Sequence, residues 1–270
     1  YLDISSNWEE GKRGEIKNIK GIGAFINLDT LRCSYNQLTS LDLSNNTSLI
    51  YLRCNENQLR NVTVSDCNAL RRLDCERNQL SSLDVSNNTS LERLSCRNNQ
   101  LTSLNISGCN ALTRLDCDNN QLTSLDVSNN ASLDNLHCWE NHLRSLDVSA
   151  CNALTRLNCD YNQLSILDVS NNTSLKALTC RMNQLSKLEV SGCTALTELY
   201  FDGNLLTSLD VTNNTFLEDV NCSKNQLSTL DISHNSTLKK IRLGDNPNLQ
   251  KVCVWTMPFP PEAMTISTEG

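Results

Sequence analysis

Cysteine is the residue type that most readily suggests chemistry in this sequence, which contains 14 cysteines among 270 residues. Cysteines can form disulfides or bind metal ions. The sequence has no CxxC pair of the kind that holds zinc, and residues stacked on parallel strands about 4.8 Å apart are poorly directed for a disulfide. Because free cysteine packs like a small apolar residue, we expect the regularly spaced cysteines to be reduced and buried. They are Cys33, Cys54, Cys75, Cys96, Cys117, Cys138, Cys159, Cys180 and Cys222.

Histidine and aspartate supply the other groups that could act in catalysis. The histidines His137, His142 and His234 are isolated, and the sequence contains no HExxH, glycine-rich phosphate-binding or GxSxG motif. We therefore predict no enzymatic activity, no cofactor and no metal centre. Acidic residues recur every 21 residues from Asp126 to Asp231. We expect them to accept hydrogen bonds from nearby hydroxyl and amide groups, and a row of calcium ions stays an alternative.

These residues are positioned by a 21-residue repeat that runs in register from Leu31 to Ile241. It can be written LxCxxNxLxxLDVSxNxxLxx. The alternation of apolar and outward residues in LxC, and again in LDVS, is typical of β-strands, so each repeat is predicted to form two short strands. One repeat cannot bury its own leucines, but stacked repeats can. The sequence thus predicts a single right-handed solenoid, mostly β, with parallel strands on two faces and little helix.

Asparagine occupies two regular positions in this repeat. One asparagine follows the first strand of every repeat, from Asn36 to Asn246, and we expect its side chain to bond the backbone of its own and the adjacent repeat. At the second position asparagine alternates with cysteine, as in Asn46, Cys67 and Asn88. The full period is therefore 42 residues, until Asn235 breaks the alternation.

The motif LxxLxCxxNxL resembles the consensus of leucine-rich-repeat proteins. The 21-residue form with its LDVSxN half looks like a bacterial subclass and is similar to surface proteins of gut Bacteroidetes, over residues 16 to about 250. This resemblance implies a horseshoe-shaped or rod-shaped solenoid that binds its ligand on the concave sheet formed by the LxCxx segments. It also implies export to a bacterial cell surface, with the signal and anchor missing from this segment.

The regular repeats separate two irregular ends. Residues 1–30 are predicted to form a degenerate first repeat and cap, residues 31–250 the solenoid, and residues 251–270 a C-terminal cap or the start of a following segment. An exposed loop is expected near the start, at Trp8, Glu9, Glu10, Lys12 and Arg13. At the other end, apolar residues should cover the last leucines and prolines should stop further strand pairing: Val254, Trp255, Phe259, Pro258, Pro260 and Pro261.

Net charge and hydropathy limit the classes of partner. The chain has a net charge of −7, so phosphate backbones and anionic lipid surfaces should be repelled. No stretch approaches the roughly 18 consecutive apolar residues of a membrane span. We predict a monomer that binds a protein partner, with a glycan as the alternative, and no nucleic acid or membrane insertion.

Variation between repeats indicates where a ligand would bind. The outward positions of LxCxx change at nearly every repeat, whereas the segment before LDVS exposes serine or threonine repeatedly. Large side chains, which are enriched in interfaces, concentrate in four consecutive LxCxx segments. We predict the ligand-binding residues to be His137, Trp139, Asp160, Tyr161, Arg181, Met182 and Tyr200. Two alternatives remain. The variation between repeats could be unselected drift of an exposed surface, and the chain could be a structural spacer that binds no ligand.

Overall fold

A computed structural model describes residues 1–6, 14–255, 260 and 265–267. The chain forms two compact units, Tyr1–Leu133 and Asp134–Gly270, here called unit 1 and unit 2. The loop predicted around Trp8 lies outside the described residues, as do the predicted cap residues Pro258, Phe259 and Pro261. Both units are built from strands of two or three residues, and the helical content of the described residues is one 3-10 turn at Ile22–Ala24 in unit 1.

The described residues of unit 1 form ten strands, all paired in parallel with the equivalent strand of an adjacent repeat. The first set belongs to the LxCxx segments and comprises β1 (Leu2–Asp3), β2 (Thr30–Arg32), β4 (Tyr51–Arg53), β6 (Arg72–Asp74), β8 (Arg93–Ser95) and β10 (Arg114–Asp116). The second set belongs to the LDVS segments and comprises β3 (Ser40–Asp42), β5 (Asn61–Thr63), β7 (Ser82–Asp84) and β9 (Ser103–Asn105).

Unit 2 repeats this arrangement, with eleven strands in the part of it that the structure describes. Its LxCxx set comprises β11 (Asn135–His137), β12 (Arg156–Asn158), β14 (Ala177–Thr179), β16 (Glu198–Tyr200), β17 (Asp219–Asn221) and β19 (Lys240–Arg242), followed by β21 (Thr265–Ser267). Its LDVS set comprises β13 (Ile166–Asp168), β15 (Lys187–Glu189), β18 (Thr229–Asp231) and β20 (Lys251–Cys253). Pairing is parallel throughout both sets.

The core of each unit is a set of apolar columns. The middle residue of each LxCxx strand from β2 to β19 is buried, as with Leu73 (0% exposed) in unit 1 and Leu178 (0% exposed) in unit 2. The cysteine that follows is buried as well. In two repeats its place is taken by Phe201, which is buried, and by Leu243, which is half-buried. All 14 cysteines are free, 13 are buried and Cys253 is half-buried. The repeat period therefore positions a continuous aliphatic and thiol core, as the alternation of residues predicts.

The asparagine that follows each LxCxx strand forms a ladder with the backbone. In unit 2, Asn162 donates from Nδ2 to the carbonyl oxygens of Cys138, Cys159 and Asp160, at 3.0, 3.2 and 3.1 Å. Its Oδ1 accepts a hydrogen bond from the amide of Leu143 at 3.0 Å. One side chain thus satisfies backbone groups of its own repeat and of the one before it, which confirms the structural role predicted for this position.

The second asparagine position bonds to the preceding repeat. Asn172 donates from Nδ2 to the carbonyls of Val148 and Cys151, at 3.0 and 2.9 Å. Where cysteine replaces asparagine, the thiol donates instead, and Cys193 Sγ lies 3.0 Å from the carbonyl oxygen of Val169. Asparagine and cysteine therefore occupy one buried donor position in alternate repeats.

The prediction of a second strand in every repeat is wrong for three repeats. The LDVS strands pair only two at a time, as β3 with β5, β7 with β9, β13 with β15, and β18 with β20. The segments 124–126, 145–147 and 208–210 have no strand. The residue at the aspartate position caps a turn through its side chain, as when Asp126 Oδ1 accepts from the amide of Ser128 at 2.9 Å. The same turn ends the LDVS segments that do form strands, as at Asp168, so every ladder on this face is short and easily interrupted.

Candidate functional site

The LxCxx strands present more outward positions than their motif suggests. In β16, Leu199 is buried, whereas Glu198 before it is exposed and Tyr200 after it is half-buried. The residue before the leucine therefore faces outward, together with the residues one and three positions after the leucine. A further outward residue follows the strand in each repeat, in a turn with positive φ. We call the surface formed by these four positions the LxCxx face of each unit.

In unit 2, one column of this face runs from His137 to Tyr200. Parallel pairing aligns His137 with Asn158, Asn158 with Thr179, and Thr179 with Tyr200. With adjacent strands about 4.8 Å apart, His137 and Tyr200 lie roughly 14 Å apart along the sheet. Both side chains are half-buried. The two predicted ligand-binding residues of this column, His137 and Tyr200, therefore lie on the same face, three repeats apart.

The next column contains Trp139, Asp160, Arg181 and Asp202 in successive repeats. Trp139 is half-buried. Asp160 is 8% exposed, and its Oδ1 accepts a hydrogen bond from the amide of Arg181 at 2.7 Å. Burial raises the pKa of Asp160, and that amide and the Arg181 guanidinium oppose the rise. Asp160 therefore has its main hydrogen-bond partner within the chain.

Arg181 and Tyr200 contact protein groups as well. The Arg181 Nε atom lies 3.5 Å from Asp202 Oδ1 and 4.0 Å from Asp160 Oδ2. The guanidinium carbon of Arg181 lies 4.6 Å from the centroid of the Tyr200 ring, and that of Arg242 lies 5.8 Å from it. Burial and the nearby Asp219 raise the pKa of the Tyr200 hydroxyl. Cation–π contacts of this kind hold the ring in place, so these residues form the fixed part of the surface.

Tyr161 and Met182 are the most exposed of the predicted residues, at 52% and 37%. Both lie in the turn after the strand, with φ of 51° and 48°. Left-handed backbone is costly for residues other than glycine, and only the repeat of Gly203, with φ of 71°, uses glycine there. A Cβ atom at Gly203 would lie 2.5 Å from Met182 Sδ. The Met182 side chain therefore crosses the space that glycine leaves open.

The seven predicted residues thus lie on one face of unit 2, and we call this group the aromatic patch. One part of the patch is exposed, at Tyr161 and Met182. The other part, around Arg181 and Tyr200, is already held by contacts within the chain. Large exposed side chains also occur elsewhere in unit 2, at Ile166, Leu205 and Phe216, with exposures of 54%, 48% and 60%. Exposure alone therefore does not distinguish the patch, but Trp139, Tyr161 and Met182 lie together on the face that varies between repeats.

The described residues offer little for metal binding or thiol chemistry. Within them, no group of three or more His, Cys, Asp and Glu side chains could hold a metal ion. Burial raises the pKa of the Cys193 and Cys222 thiols to about 12 and that of Cys180 well above its ordinary value. Such thiols stay protonated at neutral pH and are poor nucleophiles. The LxCxx faces are suited to non-covalent contact.

Unit 1 carries a second surface that the sequence analysis missed. A depression of about 340 Å³ lies on its LxCxx face, and we call it the arginine depression. It is lined by Arg53, Asn55, Arg72, Asp74, Glu76, Arg93, Leu94, Ser95, Arg97, Arg114 and Asp116. Three of these arginines directly precede the strand leucine in consecutive repeats. The repeat motif written from its first leucine does not include the residue before that leucine. Arginine occupies this position in three consecutive repeats, 21 residues apart.

The LDVS segments show what the acidic residues of the other face do. Asp168 Oδ1 accepts hydrogen bonds from the amide and hydroxyl of Ser170, at 2.9 and 2.6 Å. These bonds lower the pKa of Asp168, and the Asp210 carboxylate makes the same bonds to Thr212. The prediction that these acids bond to nearby hydroxyl and amide groups is confirmed at these positions.

Comparisons with known proteins agree with this architecture. A family model described as leucine rich repeats (two copies) matches residues 89–130, and no curated protein sequence matches significantly. The functional domain of InlJ from Listeria monocytogenes, reported to include a cysteine ladder, is 29% identical, with a TM-score of 0.52 and coverage of 85% of this chain and 66% of that one. This chain therefore spans just under two thirds of that domain.

Two further solved structures have higher TM-scores. A leucine-rich-repeat protein of Leptospira interrogans is 24% identical, with a TM-score of 0.67 and coverage of 85% of this chain and 69% of that one. The plant peptide hormone receptor RGFR1, in complex with RGF2, is 21% identical, with a TM-score of 0.71 and coverage of 86% and 48%. In the described part of this chain, no helix is long and apolar enough to cross a membrane. The repeat, the parallel ladders and these matches show that each unit has the leucine-rich-repeat fold.

Proposed function

We propose that this chain is a non-enzymatic binding module that holds a protein partner on the aromatic patch of unit 2. The observation that carries the proposal is the grouping of Trp139, Tyr161 and Met182 on a face whose other outward residues are mostly polar. Trp, Tyr and Met are enriched where proteins contact one another. Several similar solved structures are complexes, among them the plant peptide hormone receptor RGFR1 with RGF2 and the LRIM1/APL1C complex, which supports this kind of partner.

The two parts of the patch would contribute differently. Arg181 and Tyr200 contact each other and nearby acids, so they offer a preorganised surface that loses little side-chain entropy on binding. Tyr161 and Met182 are exposed, and burying them would supply apolar contact area. Trp139 would serve as the anchor because it is the largest side chain of the group. His137 would lie at the edge of the patch, and Asp160 would hold Arg181 in place.

A photo-crosslinking amino acid at position 161 tests whether the patch contacts a partner. The same amino acid at position 216 is the matched control, because Phe216 is exposed and aromatic but lies outside the patch. We expect a protein to be captured from position 161 and not from position 216. Capture from position 216 alone would contradict the proposal.

Affinity measurements with the captured partner then test the anchor. Trp139→Ala and Tyr161→Ala should each weaken binding by about 2 kcal/mol, or roughly 30-fold. Phe216→Ala should leave binding unchanged. All three variants should keep the thermal midpoint of the wild type, since surface substitutions usually change stability by less than about 0.5 kcal/mol. Normal binding by both patch variants would rule out this placement of the site.

A glycan is the second candidate for the same patch, since aromatic rings can stack on sugars and carboxylates can accept bonds from hydroxyl groups. The engagement of Asp160 and Asp202 with Arg181 leaves fewer acceptors for sugar hydroxyls, which favours a protein. Binding to a glycan array that is lost in Trp139→Ala would reverse this preference. A spacer without a ligand predicts that neither assay detects binding.

The location of the protein is part of the same proposal. We propose a bacterial cell surface and a monomeric chain, based on the resemblance of the repeat to bacterial surface proteins. Protease treatment of intact cells should then remove the protein, while a cytoplasmic marker survives. Protection of the chain in intact cells would contradict a surface location.

A further inference from the structure

The arginine depression of unit 1 contains one repeat that differs from its neighbours. Parallel pairing aligns Arg72 with Arg93 and Arg93 with Arg114. Like charges directly opposite each other on neighbouring strands repel, so this stack needs compensating acids. Two of the three repeats provide them within the same strand.

The outer two arginines are neutralised by the residue two positions later. Arg72 Nη2 lies 3.0 Å from Asp74 Oδ2, and its Nε bonds to both oxygens of that carboxylate. Arg114 Nε lies 2.8 Å from Asp116 Oδ2. Asp74 also accepts a hydrogen bond from the Tyr51 hydroxyl at 3.2 Å. These carboxylates are therefore already committed to their own arginines.

The central repeat lacks this acid. Ser95 occupies the position that aligns with Asp74 and Asp116, and its hydroxyl donates to Glu76 Oε2 at 3.2 Å. Glu76 in turn is paired with Arg97. Arg93 is exposed, and within the described residues its guanidinium has no carboxylate partner. An unneutralised cation thus lies at the centre of a depression whose flanks are fixed by ion pairs.

We propose that Arg93 binds a carboxylate from an acidic segment of a protein partner. A guanidinium can hold a carboxylate through two parallel hydrogen bonds. The bound carboxylate would take the place that Asp74 and Asp116 take beside their own arginines. This site is in unit 1, and it does not depend on the binding proposed for the aromatic patch of unit 2.

The charges that line the depression favour a single carboxylate over a polyanion. Five arginines and three acidic residues line it, so its net charge is only about two positive charges. Asp74, Glu76 and Asp116 would repel a nucleic acid or a highly sulfated polysaccharide. An acidic peptide can place one carboxylate on Arg93 and direct its remaining charges into solvent.

Fluorescence anisotropy with a labelled, end-blocked peptide of two glutamates flanked by glycines tests the proposal at low salt. A peptide with glutamine in place of glutamate is the matched probe. We expect the wild type to bind the glutamate peptide and not the glutamine peptide. Arg93→Gln should weaken binding by about tenfold or more, the effect of losing a charge-assisted pair. Arg60→Gln, which removes an exposed arginine elsewhere in unit 1, should have no effect.

Substitution of Ser95 provides a second, independent test that keeps Arg93 in place. Ser95→Asp would give the central repeat the same internal partner as its neighbours, and it should weaken peptide binding as strongly as Arg93→Gln. Ser95→Asn has nearly the same shape without the charge and should bind the peptide like the wild type. Circular dichroism melting curves verify that each variant is folded.

Several outcomes would overturn the proposal. They are failure of the wild type to bind the glutamate peptide, equal binding by Arg93→Gln, and equal binding by Ser95→Asp. Displacement of the peptide by inorganic phosphate or heparin at lower concentration than by unlabelled glutamate peptide would show a general anion site instead. That result would replace the assigned carboxylate ligand.

Discussion

The arginine depression of unit 1 and the aromatic patch of unit 2 are built on the same backbone lattice but have different surface chemistry. In both, a buried leucine lies at the centre of each strand and an asparagine ladder follows it. In the depression most outward residues form charge pairs, but the central Arg93 has no carboxylate partner among the described residues. In the patch, large apolar side chains surround an arginine held by acids and a tyrosine ring. The repeat therefore specifies where a side chain is displayed, and each repeat separately determines its chemistry.

The strongest test of this comparison alters the shared lattice in both regions. Leu94 and Leu157 occupy the equivalent buried position beneath the depression and the patch, at 1% and 2% exposed. Because each substitution to alanine would leave a cavity in a packed column, each should lower the free energy of unfolding by about 2–5 kcal/mol. Urea denaturation followed by circular dichroism measures both. A cost below about 1 kcal/mol at one position only would show that the two lattices are not equivalent.

Sequence reasoning was most successful for this lattice. Leucine and cysteine alternate with outward residues over the whole repeat, and burial follows directly from that pattern, as at Leu178 and Cys180. The asparagine ladder was predictable too, because an unpaired buried amide is costly and a regularly spaced Asn can satisfy it. A period of 21 residues therefore contains nearly all the information needed for the core.

The surfaces were less predictable because they depend on side-chain geometry between repeats. The stacking of Arg181 on Tyr200 and the lack of a partner for Arg93 follow from rotamers and register, which a repeat pattern does not specify. Neither the exposure of Phe216 nor the missing LDVS strand at 208–210 has a signal in the consensus. The arginines before the strand leucines could have been found from their period, had the motif been extended by one residue.

A smaller effect is expected from the turn that follows each strand, where the two regions also differ. In unit 2, Gly203→Ala would place a Cβ atom 2.5 Å from Met182 Sδ in a backbone with φ of 71°. We expect a loss of about 1 kcal/mol in unfolding free energy, because alanine tolerates this φ poorly. Adding Met182→Ala should recover the part due to the clash, and urea titrations of the wild type, Gly203→Ala and the double variant measure it.

The equivalent turn in unit 1 provides the control for this prediction. Asn98 has φ of 54°, so Asn98→Ala changes the same backbone position without removing a glycine. Its cost should be smaller than that of Gly203→Ala. If Gly203→Ala left the free energy of unfolding unchanged, the position of the Met182 side chain would not depend on the space beside Gly203.

The smallest effect concerns pH and extends the comparison to the opposite face of unit 2. Burial raises the pKa of Asp160 above its ordinary value of 3.8, so its ionisation destabilises the fold at neutral pH, and this penalty is relieved as pH falls through the raised pKa. Hydrogen bonds from Ser170 lower the pKa of Asp168 below 3.8. The ionised Asp168 therefore contributes stability above pH 3.8, and that stability is lost as pH falls through the lowered pKa.

Substitution with asparagine should distinguish the opposite effects that ionisation of Asp160 and Asp168 has on stability. Relative to the wild type, Asp160→Asn should be more favourable at neutral pH than near pH 3, and Asp168→Asn should show the reverse. Urea midpoints of both variants and the wild type at the two pH values are the measurement. The same direction of change in both variants would contradict the assigned pKa shifts.

The buried position shared by asparagine and cysteine also records how the chain evolved. Asn235 directly follows Asn214 in this column, and each donates to two carbonyls of the repeat before it, at 2.9 to 3.2 Å. Two asparagines in succession are thus structurally acceptable, and hydrogen bonding does not require the alternation seen elsewhere. We interpret the 42-residue spacing as a mark of ancestry, of the kind left when a gene segment encoding two repeats is copied in tandem. Relatives that differ in length by whole pairs of repeats would keep the hydrogen bonds between repeats and gain or lose outward positions. A change in the number of repeats can therefore be a source of new binding surfaces.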